Sequence, residues 1–369
     1  MRSAFMLLAT RMGSLHAFER TRCSATVRKW LGGRPPSADT IGRVVNTVDG
    51  DEIRGIIATV FRRLKRGKGF QPLPGCNWVP LVLDGHESHK SFRRHCAGCC
   101  TRKLKTAGGE KIQYYHRHVA AHLVGRDFEF LVDLEPIGKG DSEIAAARRL
   151  YGRVHAAYSR AYDVVLGDAL YSSAGFWKDV LDKNKQIITV LKDERRTLVA
   201  ETNALIGSVP PVIDGQNGQR REIRDLPENN GWSQVERSVR VVQSIETKNV
   251  KRQLTGESES VGSTWLWATS IPQQELGARS LVRVAHKRWS IENEGFNTLA
   301  NTWHANHVYR HDAKAIENFI LLTFLALNLF RVFFHRNLKP QRRQRMTALR
   351  VAECIKAGVD ADALIFDTS

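Results

Sequence analysis

Apolar residues recur at two different periods along this chain, and the switch between them outlines its organisation. After a basic start without clear periodicity, Ser37 stands as an N-cap before Ile41, Val44, Val45 and Val48, which share one helical face. Asp49 and Glu52 have the spacing of a capping box, and Ile53, Ile56, Ile57, Val60, Phe61 and Leu64 continue as an unbroken helical stripe. Arg62, Arg63, Lys65, Arg66 and Lys68 crowd the end of this second helix, where cations suit the helix dipole. Two helices joined by so short a turn read either as a helix-turn-helix or as a helical hairpin with a solvated basic face.

A linker rich in Gly and Pro, residues 67–80, separates these helices from a stretch of strand-like pattern. Residues 79–83 are an apolar run ending at Asp84-Gly85, while 112–123 and 128–134 alternate with period two, so the three predict a meander. A helix over 142–158 leads into a strand at 164–166 that ends at Gly167-Asp168. A helix over 172–182 and a strand at 187–191 follow. The order βββαβαβ is that of an α/β, ribonuclease-H-like mixed sheet flanked by helices. Residues 192–280 are polar, with strand-like runs at 239–245 and 264–271, and read as a β-rich insertion. Helical periodicity returns over 281–301 and, after an Asp312 cap, over 313–334. The expected organisation is a helical basic region (1–75), a core in two parts (76–191 and 281–338) around the insertion (192–280), and a tail (339–369).

Charge narrows the function. The chain of 369 residues carries 56 Lys and Arg against 38 Asp and Glu, a net charge of +18. Such an excess favours a polyanion, nucleic acid or an anionic membrane surface, because phosphates gain from Lys and Arg through counterion release. Arg62 and Arg63 are then candidates for contacting DNA. The longest apolar run, 319–334, contains Thr323, Asn328 and Arg331 and is shorter than the ~20 residues a bilayer needs, so it reads as a buried helix. The start is a poor signal peptide, and six cysteines in so long a chain read as reduced thiols, which places the protein in the cytoplasm, at the nucleoid. No Walker A pattern and no strand-linked GxGxxG occurs, so a nucleotide cofactor is not expected.

Asp84 and Asp168 each terminate a short hydrophobic strand, the place where sheet proteins commonly build their sites. At 100° per residue, Leu281, Ala285, Arg288, Glu292, Phe296 and Leu299 share one stripe, so Arg288 and Glu292 interrupt a face expected to be buried, whereas Glu294 points away. A structural i, i+4 ion pair accounts for Arg288 and Glu292 equally well. Three carboxylates without thiolate or imidazole partners suit Mg²⁺ or Mn²⁺ in a two-metal site for phosphodiester chemistry. Cys96-x-x-Cys99 has the spacing of half a zinc site, which His116, His118 or His122 can complete. His304, His307 and His311 lie in a loop and read as solvated or phosphate-contacting.

Leu83-Asp84-Gly85, the run from Val164 through Gly167-Asp168 to Tyr171, and Arg288-Trp289-Ser290-Ile291-Glu292 resemble the three acidic motifs of bacterial DDE transposases of the insertion-sequence-four type, over about residues 75–335. The resemblance implies a ribonuclease-H-like catalytic domain that cuts transposon ends and joins them to target DNA, working as a homodimer, with Asp84, Asp168 and Glu292 as metal ligands. Where the family usually has a Tyr before the Arg and a Lys after the Glu, this chain has Ala285 and Leu299. Contacts to the DNA end then fall to Arg288, His286 and Lys287. Related transposases stack a flipped base on an aromatic of the insertion, for which Trp232 is the candidate, with Trp265 and Trp267 read as core. A nuclease of the same fold without strand transfer, and an inactive DNA-binding descendant, are the alternatives.

Overall fold

The computed structural model describes residues 1–106, 108–192, 197–216, 219–251, 256 and 258–365. The fold is mixed α/β, with a large mixed sheet flanked by helices, as the order of elements along the sequence predicts. The chain divides into two compact units. The first comprises Met1–Gln71, Gly85–Ser159 and Ile291–Ser369, and the second Pro72–Asp84 and Arg160–Ser290.

The first unit opens with α1 (Arg2–Ala9), α2 (Leu15–Glu19) and α3 (Ala25–Leu31), where the sequence shows no clear period. These helices are too short to be stable alone and form through packing. Met6, Leu7 and Leu8 of α1 are buried, and Ser14 and Ser24 cap the next two helices. The helices α4 (Ala38–Thr47) and α5 (Gly50–Arg66) follow as expected, with Ser37 and Asp49 as caps. Ile53, Ile57 and Phe61 of α5 face the core, while Arg62 and Arg63 are exposed.

β1 (Pro80–Ser91) starts in the second unit and ends in the first, beyond the stop expected at Asp84-Gly85. In the first unit β2 (Cys100–Thr106), β3 (Gly109–Val124) and β4 (Glu129–Ile137) pair antiparallel. β2 occupies a stretch that looks like loop in the sequence. Its residues are polar or charged and only alternately half-covered, so no hydrophobic period marks it. α6 (Glu143–Tyr158) then begins at its Ser142 cap.

The second unit continues with β5 (Val164–Gly167), α7 (Ala174–Leu181), β6 (Gln186–Leu191), α8 (Thr197–Leu205), β7 (Val212–Gln216), β8 (Gln219–Asn229), β9 (Val239–Lys251), β10 (Ser258–Thr269) and α9 (Ala278–Ala285). β1, β5 and β6 are parallel, and β10 joins β6 antiparallel, so the polar insertion extends the sheet through β9, β8 and β7. Arg240 of β9 is buried and holds Asp225 of β8 through two 2.8 Å hydrogen bonds.

α10 (Ala313–Val332), capped by Asp312, is the core of the first unit, followed by α11 (Pro340–Arg345) and α12 (Ala348–Ile365). It is apolar enough to cross a membrane but is largely buried among α1, α4, α5 and β4. Its buried polar residues close backbone groups that would otherwise be orphaned. Asn328 pairs with Leu131 of β4 as a strand would, accepting from Leu131 N at 2.9 Å and donating to its carbonyl at 2.7 Å. Asn318 donates to the carbonyls of Val45 and Val48 at the end of α4.

Asp133 of β4 binds two arginines, Arg54 Nε at 2.6 Å and Arg153 Nε at 2.7 Å, and its side chain is only 5% exposed. Removing one partner from a buried ionic cluster leaves uncompensated charge, which costs about 3 kcal/mol or more. Asp133→Ala is therefore expected to lower the unfolding free energy by about 3 kcal/mol in urea titrations. Arg149→Ala, which removes a more exposed ion pair, is expected to cost under about 1 kcal/mol.

Candidate active site

The register of the second unit sets two carboxylates side by side. Pro80 lies opposite Val164, Leu81 opposite Val165 and Val82 opposite Leu166. The same offset, carried two residues on, puts Asp84 level with Asp168. Leu81, Val82, Leu83 and Val164, Val165, Leu166 are buried, so hydrophobic burial fixes the strands and delivers both carboxylates to one end.

Local geometry holds Asp168 further. A side chain at Gly167 would overlap the buried ring of Tyr171, so glycine permits the chain to fold back in a single turn over Ala169–Tyr171. Asp168 caps that turn, its Oδ1 accepting from Leu170 N at 2.8 Å. On the other strand, a side chain at Gly85 would overlap the carboxylate of Glu143, which also pairs with Arg117 at 3.3 Å. Glu143 is an acidic residue next to the chain just after Asp84, and nothing in its sequence context marks it.

Arg288 is buried, with Nη1 3.6 Å from Oδ2 of Asp84. Its guanidinium lies 4.5 Å from the ring centre of Trp289. Trp289 in turn packs edge-on to Trp265 at 4.6 Å and lies 5.1 Å from His286. His286 Nε2 is 2.5 Å from Oε1 of Glu246 on β9. His286 is thus engaged inside the unit and orients the aromatic cluster, whereas Lys287 is exposed. Glu246 also accepts from Ser244 and from Gln219, both at 2.8 Å. Burial pushes its carboxyl up, but these hydrogen bonds and the nearby charges of His286 and Arg221 outweigh it and hold the group below its ordinary value. The polar surroundings of Glu246 in the sequence do not reveal a buried carboxylate.

Glu292 belongs to the first unit. The segment expected as one α-helix over 281–301 is α9 followed by a 3₁₀ turn at His286–Trp289 and wider π turns at Ile291–Phe296 and Thr298–Thr302. Across these wider turns the 100° stripe fails at Glu292 but holds at Phe296 and Leu299. Ile291, Phe296 and Leu299 are buried, while Glu292 is exposed together with Glu294. The turn is anchored by Arg331 of α10, which donates to the carbonyls of Glu294 and of Glu129, the latter at 2.9 Å.

Trp232 is half-buried, its ring 4.9 Å from that of Trp177, on the wall of an open cavity of about 410 Å³ lined also by Ser172, Ser173 and Thr197. Trp267 is core, as expected, and Trp265 is half-exposed. In the first unit, Cys96 and Cys99 gather with His116 and His311. His311 is thus not a solvated loop residue. His118 and His122 are buried elsewhere, His118 beside His86 and Phe296.

A carboxylate on β1 and one just after the neighbouring parallel strand β5, with a buried arginine against the first, define an acidic group of oxygen donors in an α/β sheet. These are the hard ligands that Mg²⁺ and Mn²⁺ take. The model of the transposase DDE domain family matches residues 84–329, two thirds of the chain, and the chain belongs to that family. The match begins at Asp84 and includes Asp168, Arg288 and Glu292. No curated protein matches the chain. As a transposase it acts on DNA, and the family's chemistry uses divalent metal.

Glu246 supplies a pH test of the aromatic cluster. A carboxyl whose folded pKa is depressed contributes stability above its ordinary value of 4.5 and loses it as pH falls through the folded value. Glu246→Gln is expected to unfold at lower urea than the parent protein at pH 7, and the gap should narrow steadily below about pH 4.5. A gap that stays constant from pH 7 to pH 3 contradicts the assignment.

Proposed function

We propose that this protein is a DNA transposase of the insertion-sequence-four type, which cuts the ends of its element and joins them to target DNA. Asp84, Asp168 and Glu292 are its acidic set. The observation that carries this reading is Asp84 on β1 and Asp168 just after the neighbouring parallel strand β5, with Arg288 held against Asp84. Support for Glu292 comes from the family match, which includes it, and from its position four residues after Arg288, which preserves the order of the third acidic motif.

Asp84 and Asp168 would hold Mg²⁺ or Mn²⁺ together with Glu292. The metal supplies charge stabilisation at the phosphodiester and activation of the attacking hydroxyl. Arg288, buried and planar against Trp289, balances the carboxylates and offers guanidinium N–H groups to a phosphate oxygen. The exposed Lys287, Arg62 and Arg63 supply cations to the DNA backbone, and His286 acts through Glu246 and Trp289 as a positioning residue. Trp232, on an open cavity with two serines at its rim, suits an unstacked base, a contact worth ~1 to 3 kcal/mol. Two copies act on the paired ends of one element, in the cytoplasm at the nucleoid.

Labelled DNA carrying the inverted repeats that flank the gene, incubated with the purified chain and Mg²⁺, is expected to give cleaved and joined products. Cleavage without joining favours a nuclease, and a gel shift without cutting favours an inactive descendant. Asp84→Asn, Asp168→Asn and Glu292→Gln are each expected to reduce cleavage on the order of 10³-fold or more while sparing the gel shift, because several kcal/mol of charge stabilisation is lost. Wild-type cleavage by Glu292→Gln removes that residue from the set.

A further inference from the structure

The first unit holds a second concentration of ligating groups, which the DDE chemistry does not use. Cys96 and Cys99 lie in the turn between β1 and β2, His116 on β3, and His311 two residues before α10. The four ligand atoms all fall within 4.8 Å of one another. Cys96 Sγ is 3.8 Å from Cys99 Sγ and 3.4 Å from His116 Nε2. Cys99 Sγ is 3.3 Å from His116 Nε2 and 3.4 Å from His311 Nε2.

A tetrahedron with bonds of about 2.3 Å to sulfur and 2.0 Å to nitrogen has edges of roughly 3.8 Å between sulfurs and 3.5 Å from sulfur to nitrogen. The four separations given above agree with these edges to within about 0.2 Å. Sulfur makes only weak hydrogen bonds, whereas two thiolates and two imidazole nitrogens are a donor set that zinc takes.

The surrounding backbone is shaped to hold the two sulfurs together. Cys96 N donates to Cys99 Sγ at 3.3 Å, and Cys99 N to the Cys96 carbonyl at 3.1 Å. A side chain at Gly98 would come within 2.8 Å of Ala313 Cβ, so the turn lies flat on the start of α10. All four positions are protein side chains with no open place for a reactant, the mark of a structural rather than a catalytic site.

We propose that Cys96, Cys99, His116 and His311 bind one structural zinc ion, which staples the β2–β3 hairpin to the segment leading into α10. The staple joins residues 212 apart in sequence. With Arg331 anchoring Glu294, it fixes the stretch from the π turns to α10 at both ends.

The test is the metal content of the full chain, purified without added metal and measured by mass spectrometry after desalting into Mg²⁺ buffer. About one zinc per chain is expected. Replacement by Co²⁺ should give the strong visible bands of tetrahedral cobalt with thiolate charge transfer in the near ultraviolet. Cys96→Ser and His311→Ala should lose most of the zinc, while Cys100→Ser, Cys354→Ser and Asp84→Asn keep it. The Asp84 variant separates this site from the acidic one. Wild-type protein that neither carries zinc nor gives the tetrahedral cobalt spectrum overturns the proposal even if the ligand variants fail to fold, and so does a Cys100→Ser variant as depleted as Cys96→Ser.

Discussion

Two acidic side chains on neighbouring strands are the constraint around which the second unit is organised. Adjacent strands lie about 5 Å apart, so like charges brought together on them repel unless a cation intervenes. The strands are held in place by burial on both faces, Leu81, Val82 and Leu83 on β1 and Val164, Val165 and Leu166 on β5. Relief comes from Arg288, buried 3.6 Å from Asp84. A buried guanidinium carries its own desolvation cost, which is met by the carboxylate on one side and the face of Trp289 on the other. The insertion then has a structural purpose. Its strands β9 and β10 bring Glu246, Trp265 and Trp267 to His286 and Trp289, so the polar segment sets the arginine that offsets the aspartates.

A similar economy operates in the first unit, where buried polar residues of α10 serve the backbone. Asn328 completes the outer edge of β4, Asn318 closes the end of α4, and Arg331 holds the carbonyls of Glu129 and Glu294. Each replaces a protein–water hydrogen bond with one to a fixed partner, so burial of these groups costs little. The polar residues that interrupt α10 are thus the contacts that place β4 and the turn of Glu292.

Much of this was legible in the sequence wherever burial is one-sided. The caps Ser37, Asp49 and Asp312, the stripe of α5 and the spans of α6 and α10 stand where the sequence pattern puts them. The apolar run before Asp168 marks the end of β5, whereas β1 continues through Asp84-Gly85 to Ser91, so the strand end expected at Asp84 is not one. Three kinds of feature escaped. The short helices α1 to α3 depend on tertiary packing, and β2 is a charged strand with little to bury. The π turns beyond Ser290 break the angular rule by which Glu292 was set on a buried face, and no local residue signals a π turn. His311 escaped for a different reason: its partners lie about two hundred residues away, and proximity of that kind is a product of the fold.

The two ligand sets divide by chemistry as well as by place. Asp84 and Asp168 offer only hard oxygen atoms, which bind Mg²⁺ weakly enough to leave coordination for a phosphate and a water. Cys96 and Cys99 offer soft sulfur, and with two imidazoles they saturate a zinc ion completely. Zinc binds N and S donors far more tightly than Mg²⁺ does, so a cell that supplies both fills the Cys and His set without Mg²⁺ competing for it. If both proposed sites are filled, sorting by ligand softness would let one chain keep a structural zinc ion and take an exchangeable Mg²⁺ or Mn²⁺ for chemistry, because neither donor set competes well for the other's ion.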